Sequence, residues 1–141
     1  MQKRLFWTVV VAVLVTGAIL LLVRLRPESD QFDRLITLGG GYLENADATK
    51  AVATCLQAVN LVPESLDARL NLANAYLLAD DNQKTIEQCQ EALNLDRDSA
   101  AAYYLMGLAY LHLNQPEQAV QAFQQSQRID PAVTADRKSV V

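Results

Sequence analysis

The chain has 141 residues, room for one small domain and an appendage, and carries a net charge of −4. Residues 1–26 hold Lys3, Arg4, Arg24 and Arg26 and no acid, which leaves 8 basic and 16 acidic residues, a charge of −8, for the remainder. A domain so acidic repels phosphate backbones and has no basic stripe to release counterions, so nucleic acid is excluded as a partner class.

Leu5 to Val23 is a run of 19 residues interrupted only by Thr8, Thr16 and Gly17. As a helix it would be about 28 Å long, close to the ~30 Å hydrocarbon core of a bilayer. Trp7 stands where an interfacial aromatic belongs, and basic residues flank both ends. A cleaved secretory leader, which would leave a secreted soluble protein, wants a shorter run and a small-x-small site. Val23-Arg24-Leu25-Arg26-Pro27 offers no such site. The expectation is an uncleaved N-terminal transmembrane helix over residues 1–26, touching the membrane through residues 5–23. Basic residues nearly tie across the span, so charge does not orient it. Its very short leading tail resembles signal anchors, which places the rest of the chain on the extracytoplasmic, periplasm-like side; the cytoplasmic side is the alternative. Pro27 and the polar Glu28-Ser29-Asp30-Gln31 form a linker over residues 27–31.

Residues 32–45 show helical spacing at Leu35, Ile36, Leu38, Tyr42 and Leu43, with Gly39-Gly40-Gly41 in the middle. Asp47 precedes a second helix whose inner stripe is Ala51, Cys55, Ala58 and Val59. Leu66–Leu78 and Thr85–Leu95 repeat that plan around an Asp80-Asp81-Asn82 turn. From Tyr103 the plan recurs once more, with Asn114-Gln115-Pro116-Glu117 as a helix start: a cap candidate, Pro in the first turn and an acid near the helix dipole. After Pro131 a short segment remains, and residues 134–141 read as a tail or the opening of a further repeat.

A step of 34 residues relates these helices. Gly107, Tyr110, Phe123, Ser126 and Ile129 fall on Ala73, Tyr76, Cys89, Ala92 and Leu95, and again on Gly39, Tyr42, Cys55, Ala58 and Leu61. Leu38, Leu72 and Met106 align likewise, as do Val52, Ile86 and Val120. Two helices per unit at such a period mark a helical repeat array. The units, 32–65, 66–99 and 100–133, resemble tetratricopeptide repeats. The third matches best, through Tyr103, Met106-Gly107, Tyr110, Ala119, Phe123 and Pro131, while Arg69, Thr85, Arg97, Cys55 and Cys89 depart from the family pattern.

The apolar run and the resemblance together imply an all-α protein: an N-terminal transmembrane helix followed by a short right-handed α-solenoid of three helix-turn-helix repeats. It also implies a concave groove lined by the leading helix of each unit. Carried over by position, the groove candidates are Asp33, Ile36, Gly40, Asp67, Leu70, Asn71, Asn74, Tyr104, Leu108, Leu111 and His112. Asn71 and Asn74 share one helical face, so both amides could bond a ligand backbone. Family members that clamp the terminal carboxylate of acidic chaperone tails use Lys, Asn and Arg. The matching positions here are Ile36, Gly40, Asn71, Ala101 and Leu105, and only Asn71 fits. The expected ligand is therefore a hydrophobic or basic protein segment.

Little else carries chemistry. His112 is the single histidine, and neither Cys55 nor Cys89 has a base beside it in the pattern. The two cysteines occupy one position in adjacent units, where equivalent helices lie roughly 8–10 Å or more apart, beyond the ~7 Å reach of a disulfide. They are expected as two buried, reduced thiols. No clustered metal ligands appear, and the glycine triplet follows no strand and lacks a Lys-Ser/Thr sequel. The chain reads as a membrane-tethered interaction module, a scaffold or assembly factor without catalytic residues, cofactor or metal. The alternative is the N-terminal interaction segment of a longer protein, and oligomeric state stays open.

Overall fold

The computed structural model describes residues 13–17 and 29–132, all helix, turn or loop with no strand among them. Chain contacts divide it into two compact units, Met1–Arg34 and Leu35–Val141. In the first, residues 13–17 and 29–34 are helical. Most of the expected transmembrane stretch, part of the linker and residues 134–141 lie outside the described residues. No helix among the described residues is long and apolar enough to cross a membrane. A span needs about 20 apolar residues. This corrects the localisation: a single-pass membrane protein with its repeats on the extracytoplasmic side does not stand.

The second unit opens with helix α1, residues 35–44, and continues with α2 (Ala48–Leu61), α3 (Leu66–Leu78), α4 (Asn82–Leu95), α5 (Ala100–His112) and α6 (Pro116–Ile129). Each boundary has a local cause. Ser65 and Ser99, 34 residues apart, accept hydrogen bonds from the Ala68 and Ala102 N–H groups and so start the leading helices α3 and α5. Asp47 and Asp81 do the same for the trailing helices α2 and α4, accepting from Lys50 and Lys84 N–H. At α6 the cap position is Gln115, not Asn114; it makes no side-chain cap bond, and Pro116 starts the helix instead.

The turn inside each hairpin repeats with the same period. Ala46, Asp80 and Asn114 all adopt left-handed φ values of 55°, 61° and 57°. The next N–H in each case reaches back to a tyrosine carbonyl: Asp47 to Tyr42 at 2.9 Å, Asp81 to Tyr76 at 2.9 Å, Gln115 to Tyr110 at 2.8 Å. These are Schellman closures, in which one left-handed residue lets the chain satisfy the last helical carbonyls. Asp80 is thus the turn residue, whereas Asn82, expected in the turn, is already the first residue of α4 and is buried. Asparagine and aspartate tolerate this conformation, while alanine bears a Cβ–carbonyl conflict of about 1–2 kcal/mol. Ala46→Gly should therefore stabilise the domain by roughly 0.5–1 kcal/mol, a thermal shift of about 2–8 °C. Asn114→Gly should move the melting curve much less. Equal shifts at the two sites would contradict the assignment.

The helices pack as successive antiparallel hairpins, and their interior is made of small residues. Ala51, Ala58, Ala68, Ala73, Ala75, Cys89, Ala92, Ala102, Ala109 and Ala119 are all fully buried. Small side chains at the crossings let backbones approach: a Cβ on Gly39 would stand 2.8 Å from Cys55 Sγ, and one on Gly107 2.5 Å from the Phe123 ring. Gly40 and Gly41 face open space, so only Gly39 of the triplet is required by packing. Leading helices α3 and α5 touch each other, whereas the trailing pairs α2/α4 and α4/α6 do not. Over α2–α6 the stack is therefore tighter between its leading helices than between its trailing ones.

Candidate functional site

Ten of the eleven groove candidates lie in the second unit, on α1, α3 and α5; Asp33 falls in the first. Ile36, Gly40, Leu70, Asn71, Asn74, Tyr104 and Leu108 are half-buried, and Asp67, Leu111 and His112 are exposed. The contact between α3 and α5 brings the candidates of these two helices onto neighbouring elements. Among the described residues, neither Asn71 nor Asn74 spends its carboxamide on a hydrogen bond. Half-buried amides with unspent donors and acceptors suit the backbone of an extended ligand.

Other candidates are engaged in the fold. Leu70 packs against the core shared by α3, α4 and α5, formed by Ala73, Cys89, Ala92, Ala102 and Leu105. Tyr104 lies against Phe123, ring centroids 5.6 Å apart at a tilt of 54°. His112 Nδ1 stands 3.7 Å from Asp80 Oδ1, so the end of α5 meets the turn of the preceding hairpin.

A second recurring arrangement escapes the reading of the sequence. Lys50 lies over the Tyr42 ring at 5.6 Å and Lys84 over Tyr76 at 5.2 Å. Each lysine also pairs with the aspartate that caps its helix. The hydrogen bond from Lys50 holds the Asp47 carboxyl below the ordinary carboxylate range, and the bond from Lys84 does so for Asp81. The signal is a lysine at the same step, and it fails at the third unit, where Gln118 takes the place.

Cys55 and Cys89 are free and buried, and the absence of contact between α2 and α4 keeps them apart. Burial pushes the Cys55 thiol up to about 11 and the Cys89 thiol up to about 12, from an ordinary 9.0. Only thiolates are nucleophilic, so both are inert in the folded chain. Below pH ~9 both states hold the proton and nothing changes; above it the unfolded chain ionises first, so stability falls from about pH 9 until the folded thiols titrate. The urea midpoint should drop over that interval, less steeply in Cys89→Ala, and a disulfide-exchange reagent should label neither thiol before unfolding. Prompt labelling at pH 8 would contradict their burial. Among the described residues, no group of three or more His, Cys, Asp or Glu could hold a metal ion.

The tetratricopeptide repeat family profile matches residues 100–132. No curated protein matches the chain. Among solved structures, the TPR domain of Arabidopsis OM64 is similar with a TM-score of 0.70 at 21% identity, over 74% of this chain and 86% of that one. The first TPR domain of human RPAP3 gives 0.68 at 21% identity, over 72% and 80%. The second TPR of Spaghetti (RPAP3), bound to the HSP90 peptide SRMEEVD, gives 0.67 at 18% identity, over 74% and 99%. At these identities the likeness shows the fold. Residues 100–132 carry a tetratricopeptide repeat, and the helices of the second unit form an all-α solenoid with the fold of tetratricopeptide-repeat domains.

Proposed function

We propose that this chain is a protein-interaction module, a scaffold or assembly factor, whose leading-helix face seats a peptide or a partner helix. The observation that carries the reading is the pair Asn71 and Asn74, half-buried on α3 with uncommitted amides, beside the adjoining face of α5. Structural neighbours with this fold hold peptides, including SRMEEVD on a Spaghetti domain. The ligand of this chain differs in chemistry. Ile36, Gly40, Ala101 and buried Leu105 offer no cation to a terminal carboxylate, and Asp67 would repel acidic residues. A hydrophobic or basic segment fits the face better.

Fluorescence anisotropy on the full chain tests this with two labelled probes, an extended leucine–lysine peptide and SRMEEVD. The leucine–lysine peptide is expected to bind. Asn71→Ala/Asn74→Ala should weaken it roughly thirtyfold, as loss of two hydrogen bonds of about 1 kcal/mol each implies, and SRMEEVD should not bind. Tight binding of SRMEEVD, or indifference of the leucine–lysine peptide to the double variant, would contradict the proposal.

A further inference from the structure

A cavity of about 420 Å³ opens between α5 and α6. Its floor is the ridge Tyr103, Met106 and Tyr110 with Ala122 at the base, and its rim is Gln118, Gln121 and Gln125. Four of the seven lining residues come from the trailing helix α6, and no residue of the lining belongs to the leading-helix face proposed above. The lining carries no ionisable charge at neutral pH.

The same positions one unit earlier show that this neutrality is particular to the third unit. There the chain has Arg69, Lys84, Glu87 and Glu91 where the cavity has Tyr103, Gln118, Gln121 and Gln125. Arg69 donates to Gln88 Oε1 and to the Pro63 carbonyl, both at 3.1 Å, and Lys84 covers the Tyr76 ring. Ionic side chains thus occupy that site. In the third unit Gln88 is replaced by Ala122 and the covering lysine by Gln118, which leaves an aromatic floor beneath a row of amides.

We infer that this cavity is a second binding site, for an uncharged proline-rich segment in the polyproline II conformation. Three observations select that occupant. First, an uncharged lining gives an ionic ligand no counter-charge to offset its desolvation. Second, Tyr103 and Tyr110 are seven residues apart, about 10.5 Å along the helix, close to the ~9.3 Å of one polyproline turn. Third, a prolyl chain has no N–H of its own and leaves its carbonyls unpaired, while the tyrosine hydroxyls and glutamine amides supply donors. Aromatic-lined grooves with such donors are how proline-rich segments are recognised elsewhere.

The test is a titration of the full chain with fluorescein-labelled decaproline, and with a glycine–serine peptide of equal length. Saturable binding of decaproline alone is expected. Gln118→Lys/Gln121→Glu, which places the preceding unit's charges on exposed positions, should weaken it roughly tenfold or more with an unchanged melting curve. Ala122→Gln should act in the same direction by filling the base. Asn71→Ala/Asn74→Ala should leave decaproline binding intact, which separates this site from the leading-helix face. Absence of saturable binding, equal binding of the glycine–serine peptide, or equal affinity in the charged variant would overturn the inference.

Discussion

Leu72→Ala is expected to lower the melting temperature of the domain by about 10–25 °C, more than the truncation of any other core side chain. Leu72 is 1% exposed and is the largest of the fully buried side chains among the described residues, followed by Thr85, Cys55, Cys89 and Ser126. An interior so rich in alanine has little other bulk to collapse into the space a leucine vacates. Large-to-small changes of this kind cost about 2–5 kcal/mol. Each kcal/mol shifts the midpoint of a domain near 100 residues by roughly 4–8 °C. The equivalent Leu38 is 50% exposed, so Leu38→Ala should cost less than about 1 kcal/mol. The contrast is the signature of stacking, because a middle unit is covered from both sides and an end unit from one. Similar losses at the two positions would contradict the stacked arrangement.

Gly107→Ala is the second large effect, and its sign opposes helix propensity. On propensity alone, alanine should gain about 1 kcal/mol over glycine in a helix interior. In the fold, the added Cβ would lie 2.5, 2.6 and 2.8 Å from three atoms of the Phe123 ring. That ring also rests against Tyr104, which limits where it can move. Overpacking costs about 1–3 kcal/mol and occasionally more; with three ring atoms displaced the upper end applies, and a net loss of roughly 1–2 kcal/mol remains. The second unit shows the alternative solution, Ala73 with Cys89 at the same two positions. Phe123→Cys alone should also destabilise, through the lost ring. The pair Gly107→Ala/Phe123→Cys should be more stable than the sum of the single losses, with a coupling of about 1 kcal/mol or more. Additive losses in urea denaturation would count against the contact.

The helices are legible because helix-period apolar spacing and a fixed step are written directly in side-chain identity. Leu66–Leu78 is bounded to the residue, since Ser65 caps its start and the turn follows Leu78. The trailing helix α4 begins at Asn82 rather than Thr85, because the left-handed residue is Asp80 and a single such residue suffices to reverse the chain. A Schellman turn on alanine, as at Ala46, has no compositional mark; only its period-related partners Asp80 and Asn114 betray it. The roles of Tyr104 and Leu70 depend on which neighbour each side chain meets, which position within a repeat does not determine. The cavity beside Tyr110 is hidden because it arises from what the third unit lacks, a lysine and a large residue at Gln118 and Ala122. The membrane localisation rests on hydropathy of a stretch that falls mostly outside the described residues, and the described helices give it no span.

Amide NMR of the isotope-labelled full chain, titrated with the unlabelled leucine–lysine peptide, decides whether ligands enter along the leading helices. Saturable shifts are expected at Asp67, Asn71, Asn74 and Leu108, with the outward residues of α2 and α4 unmoved. Shifts confined to the trailing helices, or none at all in a large excess of peptide, would show that the leading face is not where this chain binds.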